Sequence, residues 1–326
     1  MTATLEDLTA LFVRLAETPS PSGRERAVAD LIVAEVRAAG LDVQEDDSAP
    51  RTGAAAGNLI VRVPGRGAGT PIALCAHMDT VPVEVVITAS EEVGLRGAKE
   101  LDLGALGAKA AFIFDSEGPV GTVILSAPSL SKFTAEFRGR AAHAGIEPEK
   151  GRSAIVAAAR AVAAMPTGRI DAETTANVGV VSGGSATNVV PERCRLECEA
   201  RSRDGDKLTA QLERMIEAVN VAAAESGVDA TITIEEDFAG FDLGQRDLPV
   251  RLAAAALADV GLEPAFIGTG GGADANVFNA RGLPAVNLGV GLENIHSAQE
   301  SIALARLGQL YELAHAIVRA AGAAEA

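Results

Sequence analysis

The stretch Ala73–Gly94, ALCAHMDTVPVEVVITASEEVG, decides how this chain is read. It opens on an apolar run that ends at His77 and Asp79, two residues apart, so both side chains leave one face of a strand. It closes on a second apolar run that ends at Glu91 and Glu92. Strands this apolar are expected to be buried on both faces of a parallel or mixed sheet covered by helices. Ligands of open α/β sheets gather at the C-terminal ends of such strands. Asp79 stands where it can orient His77 from behind, although a His-Asp pair can also simply cap a strand end. Of the two glutamates, one can ligate a cation while the other takes a proton from water. The plainer alternative is a solvated surface pair.

Working outward, SGRERAVADLIVAEVRAAG carries apolar residues at helical spacing, with Ser22 placed to cap the helix and Gly40 to end it. LDVQEDD and NLIVRVPG read as strands on one side of the deciding stretch. AAFIFDS, which ends in Asp115, and TVILSAPS read as strands on the other. From about Ser131 the pattern changes to one-sided alternation, as in SKFTAEFRG and RCRLECEAR, with helices at about 153–165 and 207–225. The order β-α-β-β-α-β is that of a ferredoxin-like unit. After Phe238 the earlier style returns, with a helix at about 249–260, strands PAFIGTG and PAVNLGV, and a long last helix from about Ile302. The expected architecture is an α/β catalytic domain, residues 1–130 and 239–326, interrupted by an α+β lid, residues 131–238.

Histidine is scarce enough to weigh one by one. His296 lies in a glycine-rich turn, NIHSAQES, where Ser297 has the spacing to open the last helix and His296 has no capping role. His143 sits among Gly and Pro in HAGIEPEKGRSA, and His315 lies on the last helix at a spacing that suits packing or solvent. His77, His296, Glu91, Glu92 and Asp115 make a nitrogen-and-oxygen ligand set that suits Zn²⁺, with Mn²⁺ or Co²⁺ as less exclusive choices. Cys194 and Cys198 alternate with charged residues along one strand, which favours packing over metal.

The net charge of −16 argues against nucleic acid, which needs clustered Lys and Arg. No apolar run approaches the ~20 residues of a membrane span. The first residues lack the basic start of a signal peptide, and three cysteines, an odd and sparse set, fit reduced thiols. A cytoplasmic protein is expected.

Taken in order, AHMDTVP, TASEEVGLRGAKELD, FDSEGPVGT, HAGIEPEKGRSA, ATNVVPE, GGGADANVFNARGLPAVNLGVG and NIHS resemble the di-zinc amidohydrolase family of peptidase T, carboxypeptidase G and aminoacylase. The peptidase T-like branch is the nearest. The resemblance runs from about Pro19 to the C-terminus. It implies a zinc-peptidase-like α/β sandwich with a ferredoxin-like lid, a homodimer through the lids, and two Zn²⁺. It implies that His77, Glu92, Asp115 and His296 hold metal, that Asp79 supports His77, and that Glu91 is the general base. It implies that His143 stabilises the oxyanion, often from the neighbouring subunit, that Asn188 contacts substrate, and that GTGGGADAN around Gly271 lines the pocket. The expected activity is hydrolysis of an amide in a small peptide by a metal-activated water. An N-acyl-amino-acid amidohydrolase would share every one of these residues.

One part of the family pattern is missing. A further aspartate that bridges both metals, at the start of a long helix, normally separates the His-Met-Asp strand from the Glu-Glu strand. Here the resemblance jumps from DTVPV to EVVITASEE, so a helical crossover is absent after residue 83. Parallel neighbours need a crossover of about a dozen residues or more. A hairpin near Pro82 would instead carry Glu91 roughly 15 Å from His77 at ~3.3 Å per residue. Neither route is expected to join the two halves of the site comfortably. The chain then reads as a shortened enzyme, as a descendant that kept only a binding or scaffold role, or as one in which another carboxylate such as Glu84 bridges. Loss of the helix is also expected to expose apolar sheet surface.

Overall fold

The computed structural model describes residues 4–63, 70–78, 88–295, 297 and 299–324. The chain divides into two compact units. Residues 1–126, 241–269 and 273–326 form the first, and residues 127–240 with 270–272 form the second.

The first unit is built on a mixed sheet in the order Phe241–Asp242, Thr122–Ala127, Ala285–Gly289, Ala110–Ser116, Ile72–Cys75, with Ala265–Gly268 paired to Thr122–Ala127. The pairings that involve Ile72–Cys75 and Ala265–Gly268 are parallel, as is that of Ala285–Gly289 with Ala110–Ser116. Ala285–Gly289 runs antiparallel to Thr122–Ala127. The three inner strands are the apolar ones, and all five residues of Ala285–Gly289 are buried. Phe112, Val286 and Leu288 pack with Leu252, Leu257, Leu313 and Ile317 from the helices Leu248–Asp259 and Leu304–Ala323. A smaller cluster joins the helix Arg26–Ala38 to the two-stranded pair Val43–Glu45 and Leu59–Val61 through Val28, Ile32 and Leu59.

Several local expectations change. Ile72–Cys75 lies at the end of the strand order rather than inside it, and Leu74 is 45% exposed, so this strand is not buried on both faces. Of the expected strand EVVITAS only Thr88 to Ser90 lie among the described residues, and Thr88 makes a single bridge rather than a ladder. The helix expected over SGRERAVADLIVAEVRAAG begins at Arg26, with buried Glu25 and not Ser22 at its N-cap. Gly40 does end it, at φ +78°. The last helix begins at Leu304, because Ser297 turns its hydroxyl onto the Asn294 carbonyl and a short pair, Leu292–Glu293 with Ser301–Ile302, intervenes.

The second unit is a five-stranded antiparallel sheet in the order Asp229–Phe238, Ser129–Arg138, Arg193–Ser202, Thr174–Gly183, Gly168–Arg169. Its helices Ala154–Ala164 and Gly205–Ser226 share one core with Phe133, Phe137, Leu196 and Met215. Cys194, Cys198 and Ala200 are buried with Leu196, so the cysteines face the core as their alternation predicts. Leu196→Ala is expected to cost about 2–5 kcal/mol, because a fully buried leucine leaves a cavity that the sheet and helices close only in part. Denaturant titration reads this as a lower midpoint for the second unit. A loss below about 1 kcal/mol would mean that this core relaxes around the gap.

Candidate metal centre

His77 follows the strand Ile72–Cys75, and Asp115 is the penultimate residue of Ala110–Ser116. The two strands are parallel neighbours, so both side chains arrive at the same sheet edge, with His77 Nε2 3.6 Å from Asp115 Oδ1. Thr88 bridges His77 in parallel fashion. Met78 N–H donates to the Thr88 carbonyl at 2.5 Å, and Thr88 N–H donates to Ala76.

The two halves of the deciding stretch therefore meet, contrary to the expectation drawn from strand geometry. The reason is local. Among the described residues of the second half only Thr88 pairs with the first, and Ser90 then takes a left-handed backbone at φ +56°, which bends the chain back instead of extending it. One ligand atom each from His77, Glu91 and Glu92 lies within 4.8 Å of the others. Asp79, Glu84 and His296 lie outside the described residues.

The bend is held from beneath. The Ser90 hydroxyl donates to Glu25 at 3.0 Å, and the same fully buried carboxylate accepts from Gly23 N–H at 2.6 Å and Ala55 N–H at 2.9 Å. Gly97 packs against the same segment so closely that a Cβ there would stand 2.5 Å from the Ala89 carbonyl oxygen. Thr88 donates to Asp274 Oδ2 at 2.5 Å, and Cys75 Sγ lies 3.8 Å from the same oxygen. Burial and the Asp274 carboxylate push the Cys75 thiol up, so it stays protonated. Sequence reading missed Glu25, Thr88 and Asp274. The only signal was the position of Asp274 in a glycine-rich segment already singled out.

Glu91 is 8% exposed. Burial, and then the Asp115 carboxylate, push its carboxyl up to about 9, against the opposing pull of His77. Asp115, Asp274 and Glu92 thus crowd around the Glu91 carboxylate with His77 as the opposing charge, an arrangement that favours the uptake of protons or cations. A donor set of one imidazole nitrogen and several carboxylate oxygens fits a divalent cation of the zinc type.

This has a consequence for pH. In the metal-free protein Glu91 binds a proton up to about 9, whereas in the unfolded chain it releases it near 4.5. Between those values the folded state holds more protons than the unfolded one, so stability falls as pH rises. Thermal melts of cation-stripped protein are expected to drop steadily from pH 5 to pH 9, with the slope reduced in Glu91→Gln. A flat profile in the unsubstituted protein would show that Glu91 is not held protonated.

His143 and Asn188 belong to the second unit, on two segments bound to each other. Ala144 N–H donates to the Asn188 carbonyl at 2.9 Å, and Val190 N–H donates to Ala142 at 2.9 Å. Gly145 N–H donates to His143 Nδ1 at 3.2 Å, which leaves the neutral ring's proton on Nε2, as a donor on an exposed side chain. Gly271 is exposed and groups with the second unit, and a Cβ on the next residue, Gly272, would stand 2.2 Å from the Phe238 ring. His315 stacks edge-on against Tyr311 at 4.6 Å, a packing contact on the last helix.

A family model described as Peptidase dimerisation domain matches residues 126–227. The uncharacterized protein YqjE of Bacillus subtilis (strain 168) is 35% identical over 359 residues, which span 95% of this chain and 97% of that protein. A tripeptidase structure from Staphylococcus aureus is 30% identical with a TM-score of 0.89, over 99% of this chain and 100% of that one. The aminopeptidase PepT structure from Bacillus cereus ATCC 10987 is 34% identical with a TM-score of 0.83, over 98% and 99% of the two chains. The aligned stretch of YqjE exceeds the 326 residues of this chain by 33 positions, so YqjE carries at least that many residues without a counterpart here.

Proposed function

Because this chain belongs to the M20 peptidase family, and is thereby a hydrolase of the peptidase and amidohydrolase kind, we propose that it is a zinc-dependent aminopeptidase of the peptidase T type. Its substrate is a small peptide with a free amino terminus. The observation that carries this reading is the meeting of His77, Glu91 and Glu92 within 4.8 Å, beside Asp115.

His77, Glu92 and Asp115 hold the cation, with His296 and the orienting Asp79 completing the set. A bound divalent cation supplies Lewis-acid polarisation of the scissile carbonyl and makes water acidic enough to attack near neutral pH. Glu91 takes the proton of the attacking water and delivers it to the departing amine nitrogen, from a buried position beside His77 and Glu92. His143 donates Nε2–H to the oxygen that becomes negative as the carbonyl turns tetrahedral. Asn188 and the segment around Gly271 position the peptide. The second unit carries the dimerisation surface, and the protein works as a cytoplasmic homodimer. Among the described residues no helix is long and apolar enough to cross a membrane.

The residues that YqjE has in excess outnumber the dozen or so needed for one helical crossover. This agrees with a shortened enzyme whose centre is reassembled around the Ser90 bend. Zinc-loaded protein assayed on free di- and tripeptides, and on the same peptides and single amino acids N-acetylated, separates the alternatives. Turnover of the free peptides with at least tenfold preference is expected. Preference for the acetylated compounds would make it an N-acyl-amino-acid amidohydrolase. Turnover of neither by folded, loaded protein would leave a binding or scaffold role.

A further inference from the structure

Asp115 interrupts the pairing of two inner strands near its C-terminal end. Along the parallel pair Ala110–Ser116 and Ala285–Gly289, Leu288 stands opposite Phe114 and Gly289 opposite Ser116, so Asp115 is the extra residue of a β-bulge. A bulged residue drops out of the ladder and its peptide groups need another partner. Here one side chain serves both. Asp115 N–H donates to Asn287 Oδ1 at 3.2 Å, and Asn287 Nδ2 donates to the Asp115 carbonyl at 3.4 Å. Asn287 is 5% exposed, and its own backbone is set between Ile113 on one neighbour and Ile124 on the other.

A carboxamide presents a donor and an acceptor side by side, and asparagine is the short side chain that does so. Aspartate at this place would accept from the N–H but could not donate to the carbonyl. Serine and alanine are too short to span both. Without the clasp the bulge is free to close by a one-residue slip, and a slip of one residue turns a strand side chain to the opposite face. For Asp115 that means leaving the edge it shares with His77.

We propose that Asn287 is the positioning residue that aims the Asp115 carboxylate at the metal centre by clasping its bulged peptide. This rests on the reading of Asp115 as a cation-holding residue, and the test separates the two ideas. Zn²⁺ is titrated against a chromophoric chelator, and Co²⁺ absorption is recorded, in full-length protein with the natural sequence, Asn287→Ala, Asn287→Ser, Asp115→Asn and the double variant Asn287→Ala/Asp115→Asn. Circular dichroism monitors the fold. Asp115→Asn is expected to weaken cation binding without abolishing it, and Asn287→Ala and Asn287→Ser to weaken binding by about 10- to 100-fold, with a changed cobalt spectrum. In the Asp115→Asn background the same change is expected to add less than twofold, since Asn287 acts through Asp115. Affinity within twofold of the natural protein in a folded Asn287 variant would overturn the proposal. An equal loss with and without Asp115 would do the same, as would unfolding of both Asn287 variants, which would make Asn287 a residue of sheet stability. Natural protein that binds no cation while folded would instead sink the reading of the centre itself, and the positioning role with it.

Discussion

Glu91→Gln is expected to lower kcat by about 100- to 10,000-fold on a small peptide, the range over which a positioned general base acts. Cation affinity should change little. Glutamine keeps the size and shape of the side chain but has no site for the proton. Glu91 is also buried, and the bend at Ser90, braced by Glu25, fixes where it points. A proton transfer made only in the transition state lowers kcat and kcat/KM together, so KM should stay within about twofold. Loss of the cation along with activity would recast Glu91 as a ligand. Retention of more than a tenth of the activity would remove it from the reaction.

His77→Ala is expected to abolish hydrolysis and to empty the centre of its tightly held cation. Elemental analysis after zinc loading and removal of weakly bound ion measures this directly. The imidazole is the one nitrogen donor among the described residues of the cluster. Its removal leaves carboxylates alone, a set better matched to Mg²⁺ or Ca²⁺ than to zinc. The unsubstituted protein is the informative reference. About two ions per folded chain, lost in His77→Ala, would mean that the centre is complete and that some carboxylate bridges in place of the absent aspartate. One ion would mean that the di-zinc centre is disabled and only a single cation is held. None would mean that the gap after residue 83 has disabled it, and hydrolysis restored by zinc in chelator-treated protein would then be ruled out as well.

Much of this was legible in the residues. Period-2 alternation over SKFTAEFR and RCRLECEA marked half-buried strands, and the observed core indeed takes Phe133, Phe137, Cys194, Leu196 and Cys198. That works because a one-sided sheet writes its buried face directly into every second position. Strand ends rich in His, Asp and Glu likewise located His77 and Asp115, because parallel neighbours deliver their C-terminal ends to one edge whatever the details.

Backbone dihedrals and non-local polar partners decided the rest. No periodicity announces that Ser90 adopts φ +56°, yet that one angle lets Glu91 and Glu92 reach His77 across a connection too short for an ordinary crossover. Glu25, Asp274 and Asn287 look like unremarkable polar residues in helix, loop and strand. Their roles come from partners far along the chain, Ser90 for Glu25, Thr88 for Asp274 and Asp115 for Asn287. Sequence alone determined the class of fold and the kind of ligand atoms, since both follow from local pattern and side-chain chemistry. Only the tertiary structure decided which carboxylates share the centre and what holds them there. A buried polar group is satisfied by whatever the fold brings beside it, and that is a property of the packed chain, not of any stretch of it.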